Sequence, residues 1–221
     1  MGYVQVAKKL FRDEVGDVKE MLSVYEGISY KESPLDFFIL LARYKFCSRF
    51  IKNRYKVIDA GCGRGYGSVF LASCAAHVDA IDFDDALIEA NKKSHKDTLN
   101  LSFSKLDLLD VPRSMFGLYD ALVSLDVIEH FEQHETERVV RAYADLIREG
   151  GFAIVGTPNV ASRPFASERR RQTHPFEFSD EQFEAALRKA FSNVFMFSMT
   201  DEIVSTQFPK LSWYLMAICT K

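Results

Sequence analysis

Carboxylate and imidazole side chains follow one predicted strand, Tyr119–Leu125, and recur in a later loop. Asp126, Glu129 and His130 stand at positions i, i+3 and i+4, which share one face of a helical turn. His174 lies in a later loop that can return to the same sheet edge. Without a metal, the glutamate and the two histidines can act as catalytic bases or positioning groups. With one, all four side chains suit a hard divalent cation, Mg²⁺ or Mn²⁺.

A glycine-rich turn stands earlier in the chain, between a short β-branched run and a helical segment. Residues 56–59 are predicted to form a buried strand, and residues 68–76 are predicted to form a helix. Four glycines occupy alternate positions between them, so the backbone can turn tightly and a ligand can approach it closely. The free N–H groups that begin the helix favour a nucleotide-type ligand. The candidate cofactor contacts here are Asp59, Gly61, Cys62, Gly63 and Gly65.

A second acid, Asp82, ends the next predicted strand. It follows Asp59 at about the spacing of the carboxylate that accepts hydrogen bonds from ribose hydroxyls in nucleotide-binding α/β units. The next residue, Phe83, is a further candidate contact with the cofactor. Ser124 and Leu125 are candidates too, since ligands of open α/β sheets bind at the carboxyl ends of the strands.

The composition is that of an ordinary globular domain. The 221 residues can bury a substantial core, and a formal net charge of −3 gives no general attraction to nucleic acid or acidic membranes. Four scattered cysteines without a C-x-x-C pair argue against a disulfide framework. The first residues lack the apolar core of a signal peptide, and no apolar stretch is long enough to span a membrane. We therefore expect a cytoplasmic protein.

The remaining pattern predicts alternating strands and helices in one α/β domain at residues 35–221. Further strands are expected at residues 101–106 and 152–156, with two closing strands at residues 194–199 and 211–220. Residues 1–34 are expected to form a helical cap or lid, with a packing appendage as the alternative.

Two groups of arginines leave alternatives open. Residues 160–178 are expected to form a long basic loop, in which Arg169, Arg170 and Arg171 either clamp an anionic acceptor or remain solvated. Arg43, in the helix before the first strand, is expected at the surface or with its head group reaching water, with contact to a ligand as the alternative.

The acid followed by G-x-G-x-G at residues 59–65 resembles the first motif of the class I S-adenosylmethionine-dependent methyltransferases, and Asp82 falls at their second motif. The resemblance implies a Rossmann-like sandwich. Its sheet has seven mostly parallel strands with a C-terminal antiparallel hairpin, and helices cover both faces. The implied cofactor is S-adenosylmethionine, with Leu106 beside the adenine ring and Asp107 at its exocyclic amine, for which Asp110 is the alternative. A dehydrogenase is disfavoured, because Tyr66 stands where its fingerprint needs a glycine.

The D-x-x-E-H run at residues 126–130 and the later H-P-F-E-F run at residues 174–178 resemble two branches of that superfamily. Small-RNA 3′-terminal 2′-O-methyltransferases have similar runs and bind a divalent metal through two acids and both histidines. Ubiquinone-type O-methyltransferases have a similar E-x-x-E-H, and in metal-free relatives the histidine is a base or positioning group.

The resemblance implies methyl transfer to an oxygen of a small-molecule, nucleotide-linked or glycan acceptor, which can be anionic. One alternative is RNA 2′-O-methylation, against which the acidic net charge counts. The other is a non-catalytic methyltransferase-like binding protein, against which the intact acids Asp59 and Asp82 and the glycine set argue.

Overall fold

The computed structural model describes residues 34–206 and 209–221. The cap or lid predicted at residues 1–34 therefore lies outside the described residues, except for its last position. The chain divides into two compact units, Met1–Phe38 and Ile39–Lys221. The fold given below is that of the second unit, whose first helix begins before the boundary, at Pro34.

Strands and helices alternate along this unit, as the periodicity predicts. The strands are β1 (Lys56–Ala60), β2 (His77–Asp82), β3 (Leu101–Lys105), β4 (Tyr119–Leu125), β5 (Ile147–Pro158), β6 (Asn193–Met199), β7 (Val204–Ser205) and β8 (Tyr214–Thr220). The helices are α1 (Pro34–Ser48), α2 (Tyr66–Ala72), α3 (Asp85–Ser94), α4 (Thr136–Leu146), α5 (Glu168–Thr173) and α6 (Asp180–Leu187). Short 3₁₀ turns occupy Arg113–Met115, Ile128–His130, Val160–Phe165 and Pro209–Leu211.

All eight strands form one sheet in the order β3-β2-β1-β4-β5-β8-β6-β7. The pairs from β3 to β5 are parallel, whereas β8 runs antiparallel to both β5 and β6. The predicted mostly parallel sheet with a C-terminal antiparallel hairpin is therefore confirmed. It has one strand more than predicted, because β7 is only two residues long and too short to give a periodic signal.

The apolar core lies on both faces of the sheet, since neighbouring residues of a strand point to opposite sides. Val57 packs on one face among residues of α1 and α2, such as Cys47 and Leu71. Ile58 packs on the other face among residues of α4 and α6, such as Tyr143 and Phe183. The expected helical layers on both faces are thus present, and they hold the strand ends rigidly.

The basic segment expected to be a loop at residues 160–178 is instead partly helical. It contains the 3₁₀ turn Val160–Phe165 and helix α5, whose N-cap Ser167 accepts a hydrogen bond from the Arg170 N–H at 3.2 Å. The sequence E-R-R-R-Q-T has no apolar stripe, so periodicity could not reveal this helix. None of the helices within residues 34–206 and 209–221 is long and apolar enough to cross a bilayer.

Candidate functional site

The carboxyl ends of the parallel strands bring the predicted site residues to one edge of the sheet. Gly61 follows β1, Asp82 ends β2 and Asp126 follows β4. Ligands of open α/β sheets bind at this edge, where the strand order reverses between β1 and β4.

The glycine loop after β1 is fixed by contacts with Val127 and Ile81, and it borders open space at Gly63. Gly61 and Gly63 have φ angles of +83° and +51°, in the left-handed region that favours glycine. A Cβ on Gly61 would lie 2.3 Å from a Val127 methyl group, whereas a Cβ on Gly63 would have no atom within 4 Å. The N–H groups of Gly61 and Cys62 both donate to the Ile81 carbonyl at 2.8 Å. Open space therefore lies over Gly63.

Asp82 is fixed beside this open space. Its Oδ2 accepts a hydrogen bond from the Gly63 N–H at 2.9 Å, and its Oδ1 accepts one from the Asp84 N–H at 3.1 Å. Each carboxylate oxygen has a second acceptor position, so two ribose hydroxyls can still be bound. The exposed ring of Phe83 comes directly after it and offers a flat apolar surface.

The end of β3 completes this side of the site. The Leu106 N–H donates to the Asp82 carbonyl at 2.9 Å, which places half-buried Leu106 next to the acid. Asp107 is exposed, and its Oδ1 accepts a hydrogen bond from the Leu109 N–H at 2.8 Å. Within residues 34–206 and 209–221, no hydrogen bond is formed by its Oδ2, and recognition of an exocyclic amine would require such an oxygen.

Asp59 lies beneath the glycine loop. It is fully buried, and its carboxylate accepts hydrogen bonds from the Ser68 hydroxyl at 2.6 Å and the Tyr44 hydroxyl at 3.3 Å. Burial raises its pKa to about 7, although both hydrogen bonds work in the opposite direction. This geometry gives Asp59 a part in holding the loop, and its direct contact with a cofactor stays a prediction.

Three other predicted contacts are also buried. The Ser124 hydroxyl donates to the Ala60 carbonyl at 2.9 Å and lies 2.8 Å from the Tyr143 hydroxyl, while Leu125 and Cys62 belong to the core. They can shape the floor of the site, and their contact with a cofactor also stays a prediction.

The structure brings together Glu129, His130 and His174 in what we call the acid–histidine cluster. One ligand atom from each of the three residues lies within 4.8 Å of the others. The two imidazole rings meet edge to face, with centroids 4.8 Å apart. The 3₁₀ turn Ile128–His130 supplies the first two residues, and His174 follows α5.

Both imidazoles are oriented through their Nδ1 atoms. His130 Nδ1 lies 2.8 Å from the Thr173 carbonyl oxygen, and His174 Nδ1 lies 3.0 Å from Glu177 Oε1. Since both partners are acceptors, Nδ1 must carry the proton and Nε2 keeps its lone pair when the ring is neutral. Burial lowers the pKa of His174 despite the neighbouring Glu177, which favours that neutral form.

Glu129 presents a buried oxygen to this cluster. Its side chain is fully buried, and Oε2 accepts a hydrogen bond from the Thr157 hydroxyl at 3.0 Å. Within the described part of the chain, Oε1 has no hydrogen-bond partner. Burial, followed by the charge of Asp126, raises the pKa of Glu129 well above its usual range. An unpaired buried carboxylate oxygen is costly, so this arrangement fits a site for a cation or a shared proton.

The fourth predicted metal ligand, Asp126, is paired elsewhere. Its Oδ2 lies 2.5 Å from the NH1 atom of Arg43, whose guanidinium stacks on the ring of Tyr214 at 3.6 Å from the centroid. The expectation that Arg43 points to the surface is therefore wrong. Its partner acid lies 83 positions further along the chain, a distance over which local patterns carry no information.

The predicted anion clamp is not formed by Arg170 or Arg171. Arg170 donates to both oxygens of Glu177, at 2.8 and 3.1 Å, and Arg171 donates to the Ala166 carbonyl at 2.7 and 3.0 Å. The side chain of Arg169 lies outside the described residues. Glu177 was not among the predicted site residues, although it stands within the H-P-F-E-F run, three positions after His174.

Comparisons with known proteins agree with this fold. Residues 57–151 match the family described as a methyltransferase domain. A probable S-adenosylmethionine-dependent methyltransferase of Mycobacterium tuberculosis is 32% identical over 120 residues, which are 54% of this chain and 41% of that protein. A ubiquinone biosynthesis O-methyltransferase of Xanthomonas campestris is 29% identical over 112 residues, 50% of this chain and 46% of that one. The chain thus aligns with less than half the length of these curated relatives.

Solved structures share the architecture at lower identity. The methyltransferase domain of bacterial CtHen1 superposes with a TM-score of 0.68 at 21% identity, covering 82% of this chain and 98% of the domain. A TehB-like methyltransferase from Corynebacterium glutamicum gives a TM-score of 0.62 at 17% identity, covering 99% of this chain and 96% of that one. Fold and glycine loop define a class I methyltransferase sandwich. The family match over residues 57–151, the aligned relatives and the fold place this domain in the class I S-adenosylmethionine-dependent methyltransferase superfamily.

Proposed function

We propose that this protein is an S-adenosylmethionine-dependent methyltransferase that acts on a hydroxyl oxygen. The observation that carries the proposal is the open space over Gly63, which the fixed carboxylate of Asp82 borders. The acid–histidine cluster belongs to the same edge of the sheet. S-adenosylmethionine, when bound, supplies a methyl group on a sulfonium whose thioether leaves as a neutral group. The protein must therefore hold the two reactants in line and make the acceptor oxygen nucleophilic.

The cofactor side of the site fits an adenosine. Asp82 can accept hydrogen bonds from both ribose hydroxyls. Phe83 and Leu106 supply apolar surface on the same side, and Asp107 Oδ2, which forms no hydrogen bond among the described residues, can accept one from the adenine amine. The positive φ angles of Gly61 and Gly63 turn the loop so that no side chain fills this space.

The acceptor side contains the means to remove a proton. Nε2 of His130 and Nε2 of His174 keep their lone pairs in the neutral rings, and either can take the proton of an acceptor hydroxyl. The same atoms and the Glu129 carboxylate would hold a divalent cation such as Mg²⁺ or Mn²⁺. Such a cation, when bound, supplies a Lewis acid that lowers the pKa of the hydroxyl.

The acceptor class that best suits the site is a small-molecule, nucleotide-linked or glycan hydroxyl compound. Three protein ligands leave coordination positions for two neighbouring hydroxyls, a pattern that sugars and catechols share. The ubiquinone biosynthesis O-methyltransferase among the relatives supports methyl transfer to oxygen. The same cluster also favours a second candidate, the 2′-hydroxyl of an RNA 3′ end, against which the net charge of −3 counts.

Calorimetry with S-adenosylhomocysteine tests the cofactor. We expect saturable binding to the full chain, with one site per protomer. No binding at millimolar ligand would refute the proposed enzyme and leave a methyltransferase-like binding protein.

Turnover of a panel of acceptors tests the reaction. The panel should include catechols, free and nucleotide-linked sugars, and short RNA with a 3′-terminal diol. We expect His174→Ala to bind S-adenosylhomocysteine normally and to lose most of the turnover, whereas His134→Ala, an exposed histidine that is not part of the acid–histidine cluster, should lose none. A fully active His174→Ala would show that His174 does not act on the acceptor.

Treatment with a chelator distinguishes a metal-assisted reaction from one in which the histidines act as bases. If a cation is used, EDTA removes the activity and Mn²⁺ or Mg²⁺ restores it. Activity that is insensitive to EDTA would rule out the cation and leave the histidines as the bases.

A further inference from the structure

Trp213, the only tryptophan in the sequence, stands at the carboxyl edge of the sheet. It comes directly before β8, whose first residue, Tyr214, pairs with Pro158 at the end of β5. The ladder continues one residue further, because the Asn159 N–H donates to the Trp213 carbonyl at 2.8 Å and the Trp213 N–H donates to the Met199 carbonyl at 3.2 Å. The backbone of Trp213 is therefore fixed on both sides, while the residue remains 58% exposed.

The side chain of Trp213 belongs to the face of the sheet that carries the acid–histidine cluster. Thr157, whose hydroxyl donates to Glu129, is paired with Leu215 across β5 and β8. Paired residues of neighbouring strands lie on the same face of a sheet, and so do residues two positions apart along a strand. Trp213 stands two positions before Leu215, so it lies on the side of Thr157 and Glu129.

A chain of hydrogen bonds connects the backbone of Trp213 with His174. The Ser162 hydroxyl lies 3.2 Å from the Trp213 carbonyl oxygen and accepts a hydrogen bond from the NH2 atom of Arg170 at 2.9 Å. Arg170 also donates to both oxygens of Glu177, which orients His174. Since Ser162 and Glu177 are buried, this chain fixes the tryptophan relative to the histidine.

Exposed apolar side chains flank Trp213. Leu211 stands two residues before it, and Val160 and Phe165 belong to the 3₁₀ turn that Ser162 connects to its carbonyl. All three side chains are exposed, although their burial would be favourable. We call these three residues and Trp213 the apolar rim. Exposed apolar side chains gathered beside a site mark a surface that binds a ligand.

We propose that Trp213 binds the apolar body of the acceptor whose hydroxyl reaches the acid–histidine cluster, and so selects phenol- or catechol-type acceptors with apolar ring substituents. The inference rests on the proposed methyl transfer to a hydroxyl. An indole offers a large flat surface and loses little conformational entropy on binding. A free sugar or the end of an RNA would place hydroxyl groups against the apolar rim, whose side chains offer them no hydrogen bonds.

The emission of the single tryptophan measures this contact without turnover. The full chain, saturated with S-adenosylhomocysteine, is titrated with catechol, 4-tert-butylcatechol and methyl glucoside, and calorimetry gives the same dissociation constants independently. We expect 4-tert-butylcatechol to shift the emission to shorter wavelength and to bind about tenfold more tightly than catechol, because its added methyl groups leave water. Methyl glucoside should bind most weakly.

Matched variants, measured by calorimetry, complete the experiment. Trp213→Ser should lose most of the preference for 4-tert-butylcatechol over catechol and keep its affinity for S-adenosylhomocysteine. Phe195→Ser is the control, because Phe195 is 57% exposed and lies on β6, opposite Ile218 and away from the carboxyl edge. It should keep the preference. Trp213→Phe retains a flat aromatic surface and should restore most of the preference that serine removes.

The outcomes separate this inference from the proposed function. An unchanged ratio of the two catechol affinities in Trp213→Ser would overturn the inference and leave the methyltransferase intact. Wild-type emission that does not change while calorimetry detects binding would overturn it as well, and this result needs no variant to fold. Tighter binding of methyl glucoside, or binding of S-adenosylhomocysteine without any of the three acceptors, would also refute it. If S-adenosylhomocysteine itself does not bind, the proposed function fails and this inference fails with it.

Discussion

Arg170 and Glu177 form a two-point ion pair in which the Arg170 Nε lies 2.8 Å from Oε1 and the NH2 atom lies 3.1 Å from Oε2 of Glu177. The Glu177 side chain is only 1% exposed, and the same Oε1 accepts the Nδ1–H of His174. A carboxylate that orients a histidine through Nδ1 fixes the direction of Nε2 and raises its basicity. Arg170, for which an anion clamp and a solvated loop were the two alternatives, instead supports the acid–histidine cluster through Glu177.

Glu177→Gln tests this support. The amide keeps the shape but removes the charge that orients His174, so we expect Mn²⁺ affinity to fall by about 10–100-fold and turnover to fall with it. Affinity for S-adenosylhomocysteine should not change, because Glu177 lies behind the cluster rather than beside the glycine loop. Titration of the variant with Mn²⁺ by calorimetry gives the first value, and a methyl-transfer assay gives the second.

The control for this change is Glu181→Gln, whose side chain is exposed and pairs with exposed Lys210. It should behave as the wild type, since an exposed ion pair contributes little. Equal Mn²⁺ affinity and equal turnover in Glu177→Gln and Glu181→Gln would show that the Arg170–Glu177 pair only stabilises the fold.

Two glycines of the same loop should respond differently to alanine. At Gly63 a Cβ has room, and the positive φ costs about 1–2 kcal/mol, so Gly63→Ala should fold but bind S-adenosylhomocysteine poorly because the methyl group enters the cofactor space. At Gly67 a Cβ would lie 1.8 Å from the ring of Tyr44, so Gly67→Ala should lose roughly 1–3 kcal/mol or more of folding stability. Urea unfolding and calorimetry measure the two effects. Normal affinity in Gly63→Ala would contradict the proposed position of the cofactor.

Site residues that stand at strand ends could be predicted from local sequence patterns. Asp82 could be assigned from the sequence because it ends a predicted strand and its spacing from Asp59 is close to that of ribose-binding acids in nucleotide-binding α/β units. The acid–histidine cluster could be predicted for a similar reason, since Glu129 and His130 come shortly after β4. His174 precedes a recognisable capping box at Ser179.

Residues whose role depends on distant partners could not be assigned in this way. Arg43 looks like any arginine on an amphipathic helix until the fold brings Asp126 and Tyr214 beside it. Arg170 stands in a polar run that resembles a solvated loop, and only its contact with Glu177 distinguishes it from its neighbours. Pairing of this kind is set by tertiary structure, which hydrophobic periodicity and secondary-structure propensity do not report.

Asp82→Asn tests recognition of the ribose. The amide offers one acceptor oxygen in place of two, so we expect affinity for 5′-methylthioadenosine to fall by about tenfold or more. Affinity for its 2′-deoxy analogue should fall less, because that ligand has one hydroxyl fewer to lose. Asp97→Asn, an exposed acid, is the control and should show neither change. An Asp82 variant that still distinguishes the two ligands as the wild type does would exclude this role.

The buried carboxyl of Asp59 should make folding stability depend on pH. Burial raises its pKa to about 7 in the folded state, whereas the unfolded chain has a value of about 4, so the folded protein binds the extra proton between these limits. Stability from this group is therefore complete below about pH 4 and falls as pH rises toward 7, by roughly 4 kcal/mol in total. Asp59→Asn cannot ionise, and its stability should lack this component. Urea unfolding of both proteins from pH 5 to pH 8 measures the difference, and parallel curves would show that Asp59 ionises in the folded protein at its ordinary pKa.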